Sequence, residues 1–560
     1  MKRLILSMML GTTMPVWAQQ KDITDLLIHY EADRGSLYRF YQIDESPEKN
    51  ARFKTFNNDY LGQLEAVNFD ALSTDARVDY ILFRTKLKEN IYHLDEAAAQ
   101  VKTLSPWFPV ADKIYAAEKI RRRGGKQDAQ ALAGTYREMA LAVKEKEKQL
   151  TNNTDLNIYL LRRGEQVTKG LQEAIHSIQA FYNGYDPLFT WWIPAPYAQL
   201  DSALTSYANA WKNKMKQAPG TKDDGSGITG HPIGREELLR QLQTEFIPYS
   251  PEELIEIANK EFAFCDKEML KASREMGFGD DWHKALEKVK NTYVPAGDQP
   301  EAIMKLYNES VDFIKGKHLV TIPPLAEETW RMIMMTPERQ LVNPFFTGGE
   351  ELSISYPTND MEEADKLMSM RGNNPHFSRA TVHHELFAGH ALQEFMTNRY
   401  KTYRHFETPF WIEGWSLYWE MLLWDLKFPQ SPEDRVGMLF WRMHRCARII
   451  FSLNYHLGKW TPQQCIDFLV DRVGHERANA AGEVRRSFKG DYSPLYQVAY
   501  MIGGLQFMAL KKEMVDSGKM SYQQFHDAIM QNNMLPVEMI RVILENKTIN
   551  KDFKSTWRFY

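Results

Sequence analysis

The chain has 560 residues, 43% hydrophobic and 12% aromatic, with 69 Lys+Arg against 73 Asp+Glu and a formal net charge of −4 at pH 7. That composition excludes a disordered chain and supplies no electrostatic footprint for a nucleic-acid partner. The length suits two to four compact units or one large helical body with lobes, and three cysteines (Cys265, Cys446, Cys465) cannot staple it, so packing must hold it together.

The chain opens with the pattern of a secretory signal peptide. Lys2-Arg3 form a basic start, Leu4 to Trp17 are mostly apolar, and Val16-Trp17-Ala18 offers a cleavage site, so residues 1–18 are expected to be removed. The apolar run is interrupted by Thr12, Thr13 and Pro15 and is shorter than the roughly 20 residues a spanning helix needs. No cysteine lies near the cleavage point to carry a lipid anchor. The expectation is an exported protein, periplasmic or secreted, with no stable membrane insertion after cleavage.

From about Ile23 to Gln217 apolar residues recur at three- and four-residue intervals, which predicts helices, among them Gly134–Asn152 and Glu165–Tyr182. Breaks are expected at Gly124-Gly125, at Pro194 to Pro196 and across Pro219–Gly234. The last divides the mature chain into an N-terminal helical lobe, 19–230, and a second region, 231–560. Helical pattern resumes at Arg235 and runs to about Ile314. Leu352, Ile354 and Tyr356 then alternate with Ser353 and Ser355, between Gly348-Gly349 and Pro357, which predicts a strand. Beyond Ser378 the pattern is helical to the C-terminus. The expected fold is mainly α with a small sheet just before the segment that carries the chemistry.

That segment is HHELFAGHALQEF, residues 383–395. Imidazole and carboxylate are the usual zinc ligands, and a catalytic site supplies three and leaves a position for water. In HExxH the histidines sit four apart on one helical face, whereas His384 and His390 are six apart. On an ideal helix that leaves them about 120° out of register. A bulge or break would bring them together, and Gly389 makes one cheap. His383 and His390 are nearly eclipsed but about 10.5 Å apart along the axis, too far for one metal. A third ligand is expected on a second helix, WIEGWSLYWE, where Glu413 and Glu420 share a face.

These segments resemble the bacterial family catalogued as domain of unknown function 885, which itself looks like a branch of the gluzincin-type metallopeptidases. The resemblance runs through HELFAGH (384–390, against a family pattern HExxPGH), EGWSLYWE (413–420), RCARIIFSLNYHLGKWTPQQCIDFL (445–469), GEVRRSFKGDYSPLYQVAYMIGG (482–504) and FHDAIMQNNMLP (525–536). It implies a zincin-like region in which two helical lobes flank a cleft and a strand beside the metal helix holds the substrate backbone. It also selects Glu413 as third zinc ligand beside His384 and His390, one zinc per chain, and leaves Glu420 to orient a ligand histidine. One departure stands out: the family proline before Gly-His is Ala388 here, and alanine favours continuous helix where proline breaks it.

The expected activity is zinc-dependent hydrolysis of a peptide substrate, with Glu385 as general base. An oxyanion donor is then required; related folds use a downstream Tyr or His, which points to Tyr500, with His456 and Arg486 behind it. Two other functions share these residues. One is a different zinc hydrolase, an amidase or esterase; the other is an exported binding protein with a degenerate site, which Ala388 motivates.

Overall fold

The helical periodicity of the sequence is realised almost throughout. The computed structural model describes residues 23–152, 156–217, 224–342, 345–489 and 492–560; the expected signal peptide lies outside them. Gly134–Asn152 falls within the helix Ala129–Asn152, and Glu165–Tyr182 within Ile158–Tyr182. Gly124-Gly125 ends one helix, and Pro194 starts another at its first position, where a missing N–H costs nothing. After Gly234 the helix Arg235–Thr244 begins where the pattern resumed.

One two-stranded sheet is found among the described residues. β1 (Arg331–Met334) pairs in parallel with β2 (Glu351–Ile354), with Arg331 opposite Glu351 and Met334 opposite Ile354. The strand therefore starts a residue before the predicted alternation and ends before Tyr356. Leu352, Ser353 and Ile354 are all buried, so the Ser/apolar alternation does not separate a wet face from a dry one. The serines are satisfied by polar partners instead: Ser353 exchanges backbone bonds with Thr347, and the Ser355 hydroxyl donates to Gln340 at 3.0 Å.

The apolar cores group differently from a boundary at 230. One cluster joins Ile23–Leu87 side chains with those from Ile228 to Phe559; the other takes Ile43 and Leu104–Trp211. The helix Thr74–Leu104 reaches both, with Val78 to Leu87 in the first and Leu104 in the second. Its 31 residues make a rod about 46 Å long. Helix also stops short of the C-terminus: the last one, Val537–Leu544, is followed by a non-helical tail that buries Trp557 and Phe559. All three cysteines are free and buried. No described helix is long and apolar enough to cross a membrane.

Two helices that carry candidate site residues meet through glycines. Pro409–Asp425 crosses Tyr496–Lys511 so closely that a Cβ on Gly414 would lie 2.5 Å from the Gly503 Cα, and one on Gly503 would lie 2.2 Å from the Phe410 carbonyl oxygen. Any larger residue at either position would push the two backbones apart, and with them Glu413 from the tyrosines of the second helix.

Candidate metal centre

The six-residue histidine spacing is resolved by a break in the helix. Pro375–Glu385 stops, the chain turns through Leu386 to Gly389, and a new helix, His390–Thr397, begins. Four residues leave the helical path, more than the one or two a bulge would need. A Cβ on Gly389 would lie 1.8 Å from the His384 carbonyl oxygen, so only glycine permits this return. Proline is not required: Ala388 is fully buried and its carbonyl accepts a 2.7 Å bond from the Trp415 indole N–H. A tertiary hydrogen bond from a side chain 27 residues away holds the turn.

The break brings His384, His390 and Glu413 together, with one potential ligand atom from each within 4.8 Å of the others. Glu413 Oε2 lies 3.6 Å from His384 Nε2 and 3.4 Å from His390 Nε2. It is buried and receives no hydrogen bond. The other carboxylate oxygen, Oε1, accepts from the Tyr496 hydroxyl. Burial opposes ionisation of Glu413, but the two imidazoles hold its carboxyl well below the usual carboxylate range. Burial likewise disfavours the charged His390 ring, and Glu413 outweighs it, holding the imidazole up at about 9.

Each imidazole is oriented through its remaining nitrogen. His384 Nδ1 meets Glu420 Oε1 at 2.7 Å, and the same oxygen accepts from Arg445 at 3.2 Å. His390 Nδ1 lies 2.9 Å from Gln393 Oε1 and 3.3 Å from the Ser416 hydroxyl, while the Gln393 amide donates to the carbonyls of Trp411 and Ile412. With Nδ1 engaged, both Nε2 atoms are turned to the same point. His383 is held apart: it is fully buried, edge-on to the Phe428 ring, and neither ring nitrogen has a partner.

Glu385 shares the cavity but not the cluster. Its carboxylate accepts from the Gly348 N–H, on the segment leading into β2. The cavity, about 320 Å³, is lined by His384, Glu385, His390, Glu413, Tyr500 and Arg486, all named from the sequence. Tyr500 stacks 6.3 Å from the His384 ring, and burial pushes its phenol well above the ordinary range. His456 is not among the lining residues; its ring packs against Tyr455 and Phe488, and burial alone pushes it down to about 4. Sequence reasoning missed Tyr496. It stands one helical turn before Tyr500, so the i, i+4 spacing of the two tyrosines was the available signal.

His384, His390 and Glu413 could hold a divalent metal on their own chemistry. Two imidazole nitrogens and one carboxylate oxygen are the residue types of a three-ligand catalytic site. The buried Glu413 Oε2 receives no hydrogen bond and has only the two imidazoles, 3.6 and 3.4 Å away, to balance its charge, a role that a cation held between all three would fill.

The sequence profile of a bacterial family of unknown function, domain of unknown function 885, matches residues 41–543. No curated protein matches the chain. Solved structures similar to the chain include two bacterial proteins. One, a candidate lipoprotein of unknown function from Shewanella oneidensis, is 15% identical with a TM-score of 0.68, over 94% of this chain and 100% of that one. The other, a candidate lipoprotein from Colwellia psychrerythraea, is 15% identical with a TM-score of 0.58, over 94% and 99%. At that identity the likeness establishes a shared fold.

Proposed function

The chain belongs to the bacterial family of unknown function 885, and for this member of it we propose an exported, zinc-dependent metallopeptidase. The observation that carries the proposal is the buried Glu413 Oε2, without a hydrogen bond and facing the Nε2 atoms of His384 and His390, with Glu385 lining the same cavity. Export is supported by the signal pattern of residues 1–18 and by two fold relatives described as candidate lipoproteins.

His384, His390 and Glu413 would hold the zinc, which when bound supplies Lewis-acid polarisation and an acidified water. Glu420 and Gln393 fix the two imidazoles so that Nε2, not Nδ1, is presented. Glu385 accepts the proton of the attacking water and returns it to the leaving amine nitrogen; the Gly348 N–H keeps its carboxylate aimed. Tyr500, on the cavity wall and kept protonated by burial, is the hydroxyl available to the developing oxyanion.

The test is metal analysis of the mature protein, followed by mass spectrometry of products from a mixed peptide library, muropeptides and simple esters. About one zinc per chain and peptide cleavage that vanishes in Glu385→Gln are expected. Turnover confined to esters or muropeptides would make this another zinc hydrolase, and zinc without any turnover would make it a binding protein.

A further inference from the structure

The cavity beside the candidate metal ligands has a strongly cationic lining. Arg445 and Arg448 from the helix Pro432–His456 and Arg486 from Arg477–Phe488 all line it. Their carboxylate partners are fewer than they are. Glu420 serves Arg445 at 3.2 Å but is also bonded to His384. Glu483 serves both others, accepting from Arg448 Nε at 2.6 Å and pairing with Arg486, and it takes a further bond from Gln497 at 2.8 Å. The two acids that line the cavity itself are otherwise occupied, Glu413 by the imidazoles and Tyr496, Glu385 by Gly348.

Three guanidinium groups therefore face two carboxylates in a buried place. Arg445 and Arg448 are 4% and 2% exposed, and Nε of Arg445, Nη1 of Arg448 and Nε of Arg486 are buried without a hydrogen-bond partner. Stacking on the Tyr500 ring, at 4.7 Å for Arg445 and 4.2 Å for Arg448, offsets part of the desolvation but brings no negative charge. An uncompensated buried cation is destabilising unless an anion arrives. Guanidinium is the side-chain group best matched to a planar carboxylate, which it can bind through two parallel N–H bonds.

We propose that Arg448 and Arg486, supported by Arg445, form a subsite for a carboxylate carried by the substrate. The placement relative to the metal ligands sets the reach. The Tyr500 ring lies 6.3 Å from the His384 ring and 4.2 Å from the Arg448 guanidinium carbon, so a single aromatic ring links the cation to the first histidine. Two extended residues span about 7 Å, so the carboxylate that fits is one or two residues beyond the bond being cut. A free peptide C-terminus in that place makes the enzyme a carboxypeptidase releasing one residue or a dipeptide; an Asp or Glu side chain there makes it selective for acidic peptides.

This assignment rests on the peptidase proposal for its role in turnover, but the binding can be measured without turnover. Short peptides are prepared in three forms: free C-terminal acid, C-terminal amide, and amide with Asp or Glu as last residue. Binding to the zinc-loaded Glu385→Gln protein is followed by calorimetry, and cleavage by the parent enzyme by mass spectrometry. The acid is expected to bind about tenfold to hundredfold more tightly than the amide, the span of a hydrogen bond to a charged group. In Arg486→Gln that preference should shrink toward unity, and Arg486→Lys should restore part of it. If the amidated acidic peptide binds as well as the free acid, the carboxylate comes from a side chain and the subsite stands. Equal binding of all three forms overturns the subsite, as does a preference that survives Arg486→Gln, because the carboxylate then sits elsewhere. Should Arg486→Gln fail to fold, Arg486→Lys takes its place and must itself weaken the preference. Carboxylate-selective binding with no cleavage of any peptide would instead sink the peptidase proposal and leave the subsite intact.

Discussion

Glu420 Oε1 lies 2.7 Å from Nδ1 of His384, while Glu413, seven residues earlier on the same helix, faces the opposite nitrogen of that ring. One helix thus contributes both a direct ligand candidate and the group that orients another ligand. Glu413→Ala is expected to abolish tight zinc binding. Glu420→Ala should weaken it by roughly 10–100-fold, the usual effect of losing an orienting carboxylate. Zinc titration of the two variants checks this; metal kept in Glu413→Ala and lost in Glu420→Ala would reverse the roles.

Glu385 tests chemistry apart from metal binding. It lines the cavity but stands outside the three-residue cluster. Glu385→Gln should hold zinc at parent stoichiometry while peptide turnover falls by at least about 10²-fold. Equal turnover in the variant would place the base on another residue.

Tyr496 and Tyr500 should separate by what they lose. The Tyr496 hydroxyl donates to Glu413, so Tyr496→Phe is expected to lower zinc affinity by about 10–100-fold. Tyr500→Phe should leave zinc affinity near the parent value and lower kcat by about 10²-fold. Affinity from competition with a chelator and single-turnover rates together decide the assignment.

Gly389 is the residue whose replacement should do most harm for its size. Gly389→Ala must move the chain away from the His384 carbonyl oxygen, which a Cβ would approach to 1.8 Å. A loss of about 1–3 kcal/mol of stability is expected, as for other overpacked sites, together with most of the bound metal. A thermal melt and metal analysis unchanged from the parent would show that the turn can relax.

Asp434 links acid stability to the motif helix. It accepts from the Ser431 N–H at 3.2 Å in the cap of Pro432–His456, meets His376 Nδ1 at 2.7 Å and pairs with Arg379 at 3.2 Å. Burial raises its pKa, but His376 and Arg379 prevail and hold it at about 2, below the ordinary 3.8. A lowered folded-state pKa means the stabilisation is complete above about pH 4 and is lost as pH falls through 2. The contribution is on the order of 2 kcal/mol. Denaturant unfolding should therefore show Asp434→Asn destabilised at pH 6 and less pH-dependent than the parent between pH 4 and 2. Parallel pH profiles would locate the acid sensitivity elsewhere.

The sequence alone determined what local periodicity and residue chemistry can determine. Helices such as Ala129–Asn152 follow from apolar spacing, the start at Arg235 from the end of a Gly/Pro-rich stretch, and the strand near Leu352 from alternation. Residue type and spacing also singled out His384, His390 and a carboxylate on the next helix, because few side chains can serve as metal ligands. What depended on contacts between distant segments was out of reach. The end of β2 at Ile354, the shared core of the first helices with the C-terminal half, and the location of His456 away from the cavity are decided by packing partners far along the chain. The turn at Ala388 shows the reason most plainly. Alanine by itself prefers helix, and the helix nevertheless breaks there, because a bond from Trp415, 27 residues away, and the room left by Gly389 outweigh a local preference of less than about 1 kcal/mol.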